Sequence, residues 1–364
     1  MAPVVRALAE SDDLQPTVVS TGQHREMLQQ VVDLFGVTVD HDLAVMQPNQ
    51  TLASLTARLM TRIDELLENV QPDMALVQGD TTTVLVAALA CFYRRIPIGH
   101  VEAGLRTGNI WSPFPEEANR TLASRLVTLH FAPTQFGRKN LLHEDVPEDR
   151  IVVTGNTVID ALHLEVKRQS AGEERDQIHA HLAELLGHDW QELPFVLITG
   201  HRRENFGGGF ENICDALAEL ADRFGDHRFI YPVHLNPNVQ GPVYERLGER
   251  PNIRLIPPQP YREFVALMNA CRLVLTDSGG VQEEAPGLGK PVLVMRDTTE
   301  RPEGVEAGTV ELVGANKQRI IAKVSELLTD SAAYMAMSEA ANPYGDGRAA
   351  YRIVAAIRGH FAAG

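Results

Sequence analysis

Two short apolar runs, LVLT at 273–276 and PVLVM at 291–295, enclose the stretch DSGGVQEEAPGLGK. Apolar runs this short, with little alternation, read as strands buried on both faces of a parallel sheet. Parallel neighbours need a crossover, and VQEEAPGLG supplies a short helix that Gly287 and Gly289 close. The resulting βαβ unit sets a Ser-Gly-Gly turn and the charged loop RDTTERPEG at the carboxyl ends of adjacent strands. That edge is where open α/β sheets bind ligands. Ser278, Gly279 and Gly280 open a helix N-terminus, where backbone N–H groups and the helix dipole suit a phosphate. Glu283 and Glu284 lie about one turn further on, placed to accept from ribose hydroxyls, and Arg301 adds a cation.

The same alternation of strand and helix runs through both halves of the chain. PTVVSTG (16–22), MALVQGD (74–80), IPIGHVEAGLRT (96–107), HFAPT (130–134) and RIVVTG (150–155) read as strands of the first half. PFVLITG (194–200), FIYPVH (229–234), IRLIPP (253–258) and VELVG (310–314) join the central pair in the second. Helical stretches separate them, so the fold class is α/β with two doubly wound, Rossmann-like domains facing a cleft. The 364 residues divide into domains at 1–157 and 158–345. One feature is out of pattern. The chain opens on the helix MAPVVRALAE with no strand before it, although the first strand of a doubly wound sheet is central. The expectation is a natural start about twenty residues earlier, and an unfilled slot in the first sheet or strained repacking beside residues 16–20.

Composition narrows the function. A formal net charge of −15 argues against nucleic acid or an anionic membrane as partner. An anionic ligand must therefore be held by local Arg, His and helix ends. No apolar run approaches the roughly 18 residues of a membrane span, and residues 1–20 lack the features of a signal peptide. Cys91, Cys214 and Cys271 are far apart in apolar surroundings, reading as buried, reduced thiols of a cytoplasmic protein. The histidines and cysteines lack metal-ligand spacing, and no GxGxxG, Walker or GxSxG motif calls for a nicotinamide, ATP or a serine nucleophile.

Three carboxylates stand at strand or helix ends. Asp80 and Glu102 close consecutive strands; if these pair in parallel, they lie about 4.8 Å apart, and two such groups separate their pKa values for acid/base work. Asp80 also precedes three threonines, where capping the next helix is its competing role. Glu116 and Glu117 begin a helix after Pro115, a position carboxylates favour in any case. His201, Arg202 and Arg203 follow a strand directly, and His234 ends the next; both are placed for an anion or for solvent.

The strings GDTTT (79–83), GHVEAGLRTG (99–108), SPFPEEANR (112–120), HFAPT (130–134), GNTVIDAL (155–162), GHRREN (200–205), YPVHLNP (231–237), DSGGVQEEAPGLGKPVLVMRDTTERPEG (277–304) and NPYGDG (342–347) resemble, nearly end to end, those of the bacterial non-hydrolysing UDP-N-acetylglucosamine 2-epimerases. The resemblance implies a fold like that of the B-type glycosyltransferases, a last helix (346–364) packing back on the first domain, and a homodimer. It implies interconversion of UDP-GlcNAc and UDP-ManNAc for cell-surface polysaccharide synthesis, through elimination of UDP to a 2-acetamidoglucal, with no cofactor or metal. By motif, Ser278, Gly279, Gly280, His201 and Arg301 would hold the diphosphate, Glu284 the ribose, and Gln259 and Phe264 the uracil. His201 would share the catalytic work with Asp80, Glu102 and Glu116, whose acid and base roles stay open. A second UDP-GlcNAc acting as allosteric activator would touch Gln23, Arg202 and His234. Where relatives carry a basic residue before the QTL stretch, this chain has Asn49, and it has no counterpart of their Gly-Thr-Arg-Pro-Glu loop. A hydrolysing epimerase, a retaining glycosyltransferase and an inactive UDP-sugar sensor are the competing readings.

Overall fold

The computed structural model describes residues 1–22, 32–47 and 49–362. The chain forms two compact units, Met1–Ala161 with Gly345–Gly364, and Leu162–Tyr344. The change of unit falls within the helix Thr157–Arg168, which continues past the 157/158 boundary read from the sequence.

In the first unit, β1 (Val19–Ser20) and β2 (His41–Asp42) make a two-stranded parallel sheet. Strands β3 (Ala75–Gln78), β4 (Ile98–Val101), β5 (Leu129–Ala132) and β6 (Ile151–Val153) make a separate four-stranded sheet in the order β3-β4-β5-β6. Among the described residues, no strand pairs the outer edge of β3, or β1 on the side away from β2. The two edges belong to neighbouring parts of the unit, because the Thr21 and Thr83 hydroxyls just beyond them lie 3.4 Å apart. Among the described residues the two sheets of this unit are separate. Within the stretch 16–22, Val19 and Ser20 are the residues paired in the ladder.

Strands β4 and β5 are buried along their whole length. Leu55, Leu59, Ile63 and Leu67 of the helix Leu52–Val70 cover one side at a four-residue spacing. The helix Ala349–Ala362 covers another part, with Ile353, Val354 and Ile357 against Leu129 and Phe131. Asp160 anchors its start, accepting the N–H of Ala349 at 3.1 Å and of Ala350 at 2.8 Å.

The second unit has one six-stranded parallel sheet. It comprises β7 (Phe195–Thr199), β8 (Arg228–Pro232), β9 (Ile253–Ile256), β10 (Leu273–Thr276), β11 (Val292–Val294) and β12 (Val310–Leu312), in the order β12-β11-β10-β7-β8-β9. Its strands feed two cores by strict alternation. Val196, Ile198, Leu273 and Leu275 pack on one face, while Phe195, Leu197 and Val274 pack on the other. From β7 the chain winds outward through β8 and β9, then returns to the other flank of β7 as β10. The β7/β10 pair is therefore the topological switch point, and the crevice beyond its carboxyl ends is the expected ligand position.

Candidate active site

The switch point is built on Asp277, which directly follows β10 and is fully buried. One carboxylate oxygen accepts the N–H groups of His201 at 2.9 Å and Arg202 at 2.8 Å. The other lies 3.3 Å from Nδ1 of His201. This residue, read from the sequence only as part of a turn, locks the loop after β7 to the turn after β10. The His201 ring stacks on His234 at 5.4 Å. Burial lowers the His201 pKa, Asp277 opposes this, and His234 and Arg202 reinforce it.

Ser278 stands at the N-cap of the helix Gly279–Gly287, and its own N–H is taken by the Thr276 hydroxyl at 2.9 Å. The N–H groups of the following residues have no intrahelical acceptor and open toward the sheet edge, as an oxyanion requires. The Arg301 guanidinium lies against Gly279, where a Cβ would come within 2.9 Å of Nη1. Only glycine lets that cation sit over the helix start. Arg301 donates from Nε to Glu283, so Glu283, read from the sequence as a second ribose acceptor, is engaged by the arginine instead. Glu284 is nearly buried and accepts the Tyr261 hydroxyl at 3.0 Å. Burial pushes its carboxyl up to about 7 against that hydrogen bond. Gln259 donates to the Pro257 carbonyl at 2.7 Å, and its Oε1 lies 3.2 Å from Nε2 of His181. Phe264 packs partly buried against the core. Arg202 and His234 flank His201, His234 accepting the Asn236 N–H at 3.1 Å. Gly280 has open space around it. Gln23 lies outside the described residues.

In the first unit β3 and β4 pair in parallel with Gln78 opposite Val101, which puts Asp80 and Glu102 on one edge. Glu102 adopts a φ of +67°, a left-handed conformation that a non-glycine residue holds only when its surroundings impose it. Its carboxylate then lies over Gly79, where a Cβ would be 3.8 Å from Oε2. His100 fixes that turn through Nε2 and the Gly79 carbonyl at 2.7 Å, and burial pushes its pKa down to about 4.

Asp80 does not cap the following helix. Thr81 occupies the N-cap, and the Asp80 carboxylate is drawn instead to Arg120 at 3.2 Å. Its carbonyl accepts from Asn119 at 2.9 Å. Burial raises the Asp80 pKa, Arg120 opposes this, and Glu116 and Glu117 add to it. Glu116, half-buried at the start of the helix Glu116–Ser124, is thus close enough to act on Asp80 by charge.

Glu117, Asn119 and Arg120 were not read as functional from the sequence, yet they support this edge. Glu117 accepts the N–H groups of Thr107 and Gly108 at 3.0 Å each and Nε of Arg120 at 2.7 Å. The signal available was the three-residue spacing of Glu117 and Arg120 in EEANR, which pairs them on one helix face.

One unit offers an open helix N-terminus beside the nearly buried Glu284; the other sets Asp80 and Glu102 on one edge, with the Asp80 pKa raised by burial. The parallel sheets, with helices between their strands, are those of the GT-B type of fold. Comparison narrows it further. The family model for UDP-N-acetylglucosamine 2-epimerase matches residues 6–358. The UDP-N-acetylglucosamine 2-epimerase of Escherichia coli (strain K12) is 55% identical over 98% of this chain and 94% of its own length. That of Yersinia pestis is 55% identical over 99% and 95%. A crystal structure of UDP-GlcNAc 2-epimerase from Neisseria meningitidis, bound to UDP-GlcNAc, superposes with a TM-score of 0.86 at 47% identity, over 99% of this chain and 96% of that one. The chain belongs to the UDP-N-acetylglucosamine 2-epimerase family and is an isomerase acting at C2 of that nucleotide sugar. Among the described residues no helix is long and apolar enough to cross a membrane.

Proposed function

We propose that the enzyme is of the non-hydrolysing type and that its two edges divide the reaction. Ser278, Gly279, Gly280, His201 and Arg301 take the diphosphate, Glu284 the ribose, and Gln259 and Phe264 the uracil. Asp80, Glu102 and Glu116 move the C2 proton. One carboxylate removes the proton at C2 as the C1–O bond breaks, and the bonding pair leaves with UDP. The resulting 2-acetamidoglucal is protonated at C2 on the opposite face while a UDP oxygen re-forms the bond to C1. Charge develops on the leaving diphosphate, so donors fixed there before reaction contribute most to rate. The observation that carries this reading is the carboxylate cluster beyond β3 and β4, with the Asp80 pKa raised by burial while the Arg120 cation opposes the rise. Glycosyl transfer would give such a set no task.

Incubation with UDP-GlcNAc in deuterated water tests this. Deuterium at C2 of both epimers is expected, with UDP-ManNAc as product. Asp80→Asn and Glu102→Gln should each abolish exchange while UDP still binds. Free ManNAc as the main product would indicate a hydrolysing enzyme, and exchange that survives both substitutions would overturn the assignment. The same reading places a second UDP-GlcNAc near Arg202 and His234 as activator, with Gln23 as a further contact, in a homodimeric cytoplasmic enzyme. The stacking of His234 on His201 supports that coupling, and the three buried free thiols suit a reducing compartment.

A further inference from the structure

The turn that opens the helix Tyr261–Ala270 carries more than its base-facing residues. Pro260 occupies the N-cap and accepts the Phe264 N–H at 3.0 Å. One short, rigid segment therefore sets Gln259, Tyr261 and Phe264 together. The segment is pinned from below, since the Arg262 carbonyl accepts Nε2 of Gln169 at 2.8 Å, and Gln169 also donates to the buried Glu165 at 2.7 Å. Tyr261 projects from this anchored turn to Glu284, with its hydroxyl 3.0 Å from Oε1. Glu284 sits on the helix Gly279–Gly287 between Val281 and Ala285, both of which pack into the core with Val265 and Leu267.

We propose that Tyr261 is a positioning residue for nucleotide binding: its hydroxyl fixes one oxygen of the Glu284 carboxylate and leaves the other to the ribose diol. This rests on the assignment of Glu284 to the ribose. A carboxylate that accepts one fixed hydrogen bond has lost its rotation about the last side-chain bond, so its second oxygen meets the ligand in one geometry. The phenol also bears on charge. The groups acting on Glu284 are Tyr261 from the facing helix and Glu283 beside it, whose own charge is paired with Arg301. Burial and Glu283 favour the protonated acid, and the phenol opposes both. The Tyr261 hydroxyl itself stays protonated, since burial first and then Glu284 push its pKa above the ordinary tyrosine range. An ionised carboxylate is acceptor-only, the form a diol needs, so removing the donor should weaken binding most where Glu284 is nearest to taking up a proton.

Tyr261→Phe removes one oxygen atom and leaves the ring packing in place. Its KM for UDP-GlcNAc should rise about five- to tenfold near neutral pH, with a much smaller change in kcat. The pH below which KM climbs should move upward from its wild-type position. UDP-GlcNAc has no phosphate titration in this range, which keeps the profile interpretable. A second measurement compares UDP with 2′-deoxy-UDP by calorimetry at about pH 8. The preference for the ribonucleotide should shrink in Tyr261→Phe, which a merely structural residue would not cause. Glu284→Gln is the companion variant and should raise KM further while removing the pH dependence. Equal KM values and an unchanged UDP preference in Tyr261→Phe, with Glu284→Gln impaired, would overturn the role of Tyr261 and leave the ribose assignment standing. A normal KM and an unchanged preference in Glu284→Gln would overturn the ribose assignment, and the proposal with it.

Discussion

Arg120→Met should expose how much of the carboxylate edge depends on one cation. The guanidinium is nearly buried, with 9% of the side chain exposed, and it bridges Asp80 (30% exposed) and Glu117 (4% exposed). Removing one partner of a buried ion pair costs about 3–5 kcal/mol, because it leaves an uncompensated charge. Most of that loss lies with Glu117, since solvent screens part of the Asp80 charge. In the wild type, burial works to raise the Glu117 pKa. The Thr107 and Gly108 N–H groups and Arg120 outweigh it, so the pKa ends below the ordinary value of 4.5. A carboxyl depressed in the folded state contributes stability above its unfolded pKa and loses it as pH falls through the folded value. Without Arg120, burial is opposed by the Thr107 and Gly108 N–H groups alone, and the Glu117 pKa rises. The Asp80 pKa, already raised, rises further. The deficit is then fully present at alkaline pH and shrinks as the carboxyls take up protons.

For a domain of this size, 1 kcal/mol moves the melting temperature by about 2–4 °C. Arg120→Met should therefore melt about 6–20 °C lower than wild type at about pH 8, and visibly less so at about pH 5. Differential scanning calorimetry of both proteins at both pH values measures this. Adding Glu117→Gln should recover part of the loss, because the strongly buried charge is then gone. A drop below about 2 °C, the scale of an exposed pair, would refute the reasoning. An identical drop at both pH values would refute it as well.

Other substitutions probe the remaining close contacts. Gly279→Ala should fold normally, because the atoms its Cβ would meet, Nη1 at 2.9 Å and Cζ at 3.0 Å, belong to the far end of the Arg301 side chain. With the guanidinium pushed off the helix start, affinity for UDP should fall roughly tenfold; calorimetry showing wild-type affinity would remove Arg301 from the diphosphate site. Gly104→Ala should behave in the opposite way. With φ at +90° and a Cβ only 2.3 Å from the Gly137 carbonyl oxygen, backbone must move, at a loss of about 2 kcal/mol or more. An unchanged melting temperature would contradict the close approach of these two chains.

The parallel strands were legible because a strand buried on both faces is a nearly continuous apolar run, and LVLT and FVLIT are apolar up to their last threonine. Strand β2 was not, since its two residues, His41 and Asp42, are exposed and carry no apolar run. The Ser-Gly-Gly turn was legible because glycine admits a close approach at a helix start, and Gly279 meets the Arg301 guanidinium there. The supports of the site were hidden because they arise only after pairing. Asp277 reaches His201 through the adjacency of β7 and β10, residues 76 apart in sequence. Arg120 reaches Asp80 across 40 residues. His100 reaches Gly79 only because β4 lies beside β3.

The two Glu-Glu pairs show what further information was needed. Consecutive helix residues point about 100° apart, so one arginine can engage only one member of each pair closely. At 116–117 the cation lies three residues on, in Arg120, and Glu117 takes it; Glu116 is left at the helix start, where it acts on Asp80 by charge alone. At 283–284 the cation comes from the loop beyond β11, in Arg301, and Glu283 takes it; Glu284 turns instead toward a neutral donor, Tyr261. In both helices the structure supplies a cation to one glutamate and, among the described residues, no direct ion pair to its neighbour, and that neighbour, Glu116 or Glu284, is the one proposed for the reaction or the ligand. The local pairing at 117–120 could be found from spacing alone. The one at 283–301 needed the β10–β11 crossover, which is why residue spacing alone did not separate Glu283 from Glu284 and the fold does.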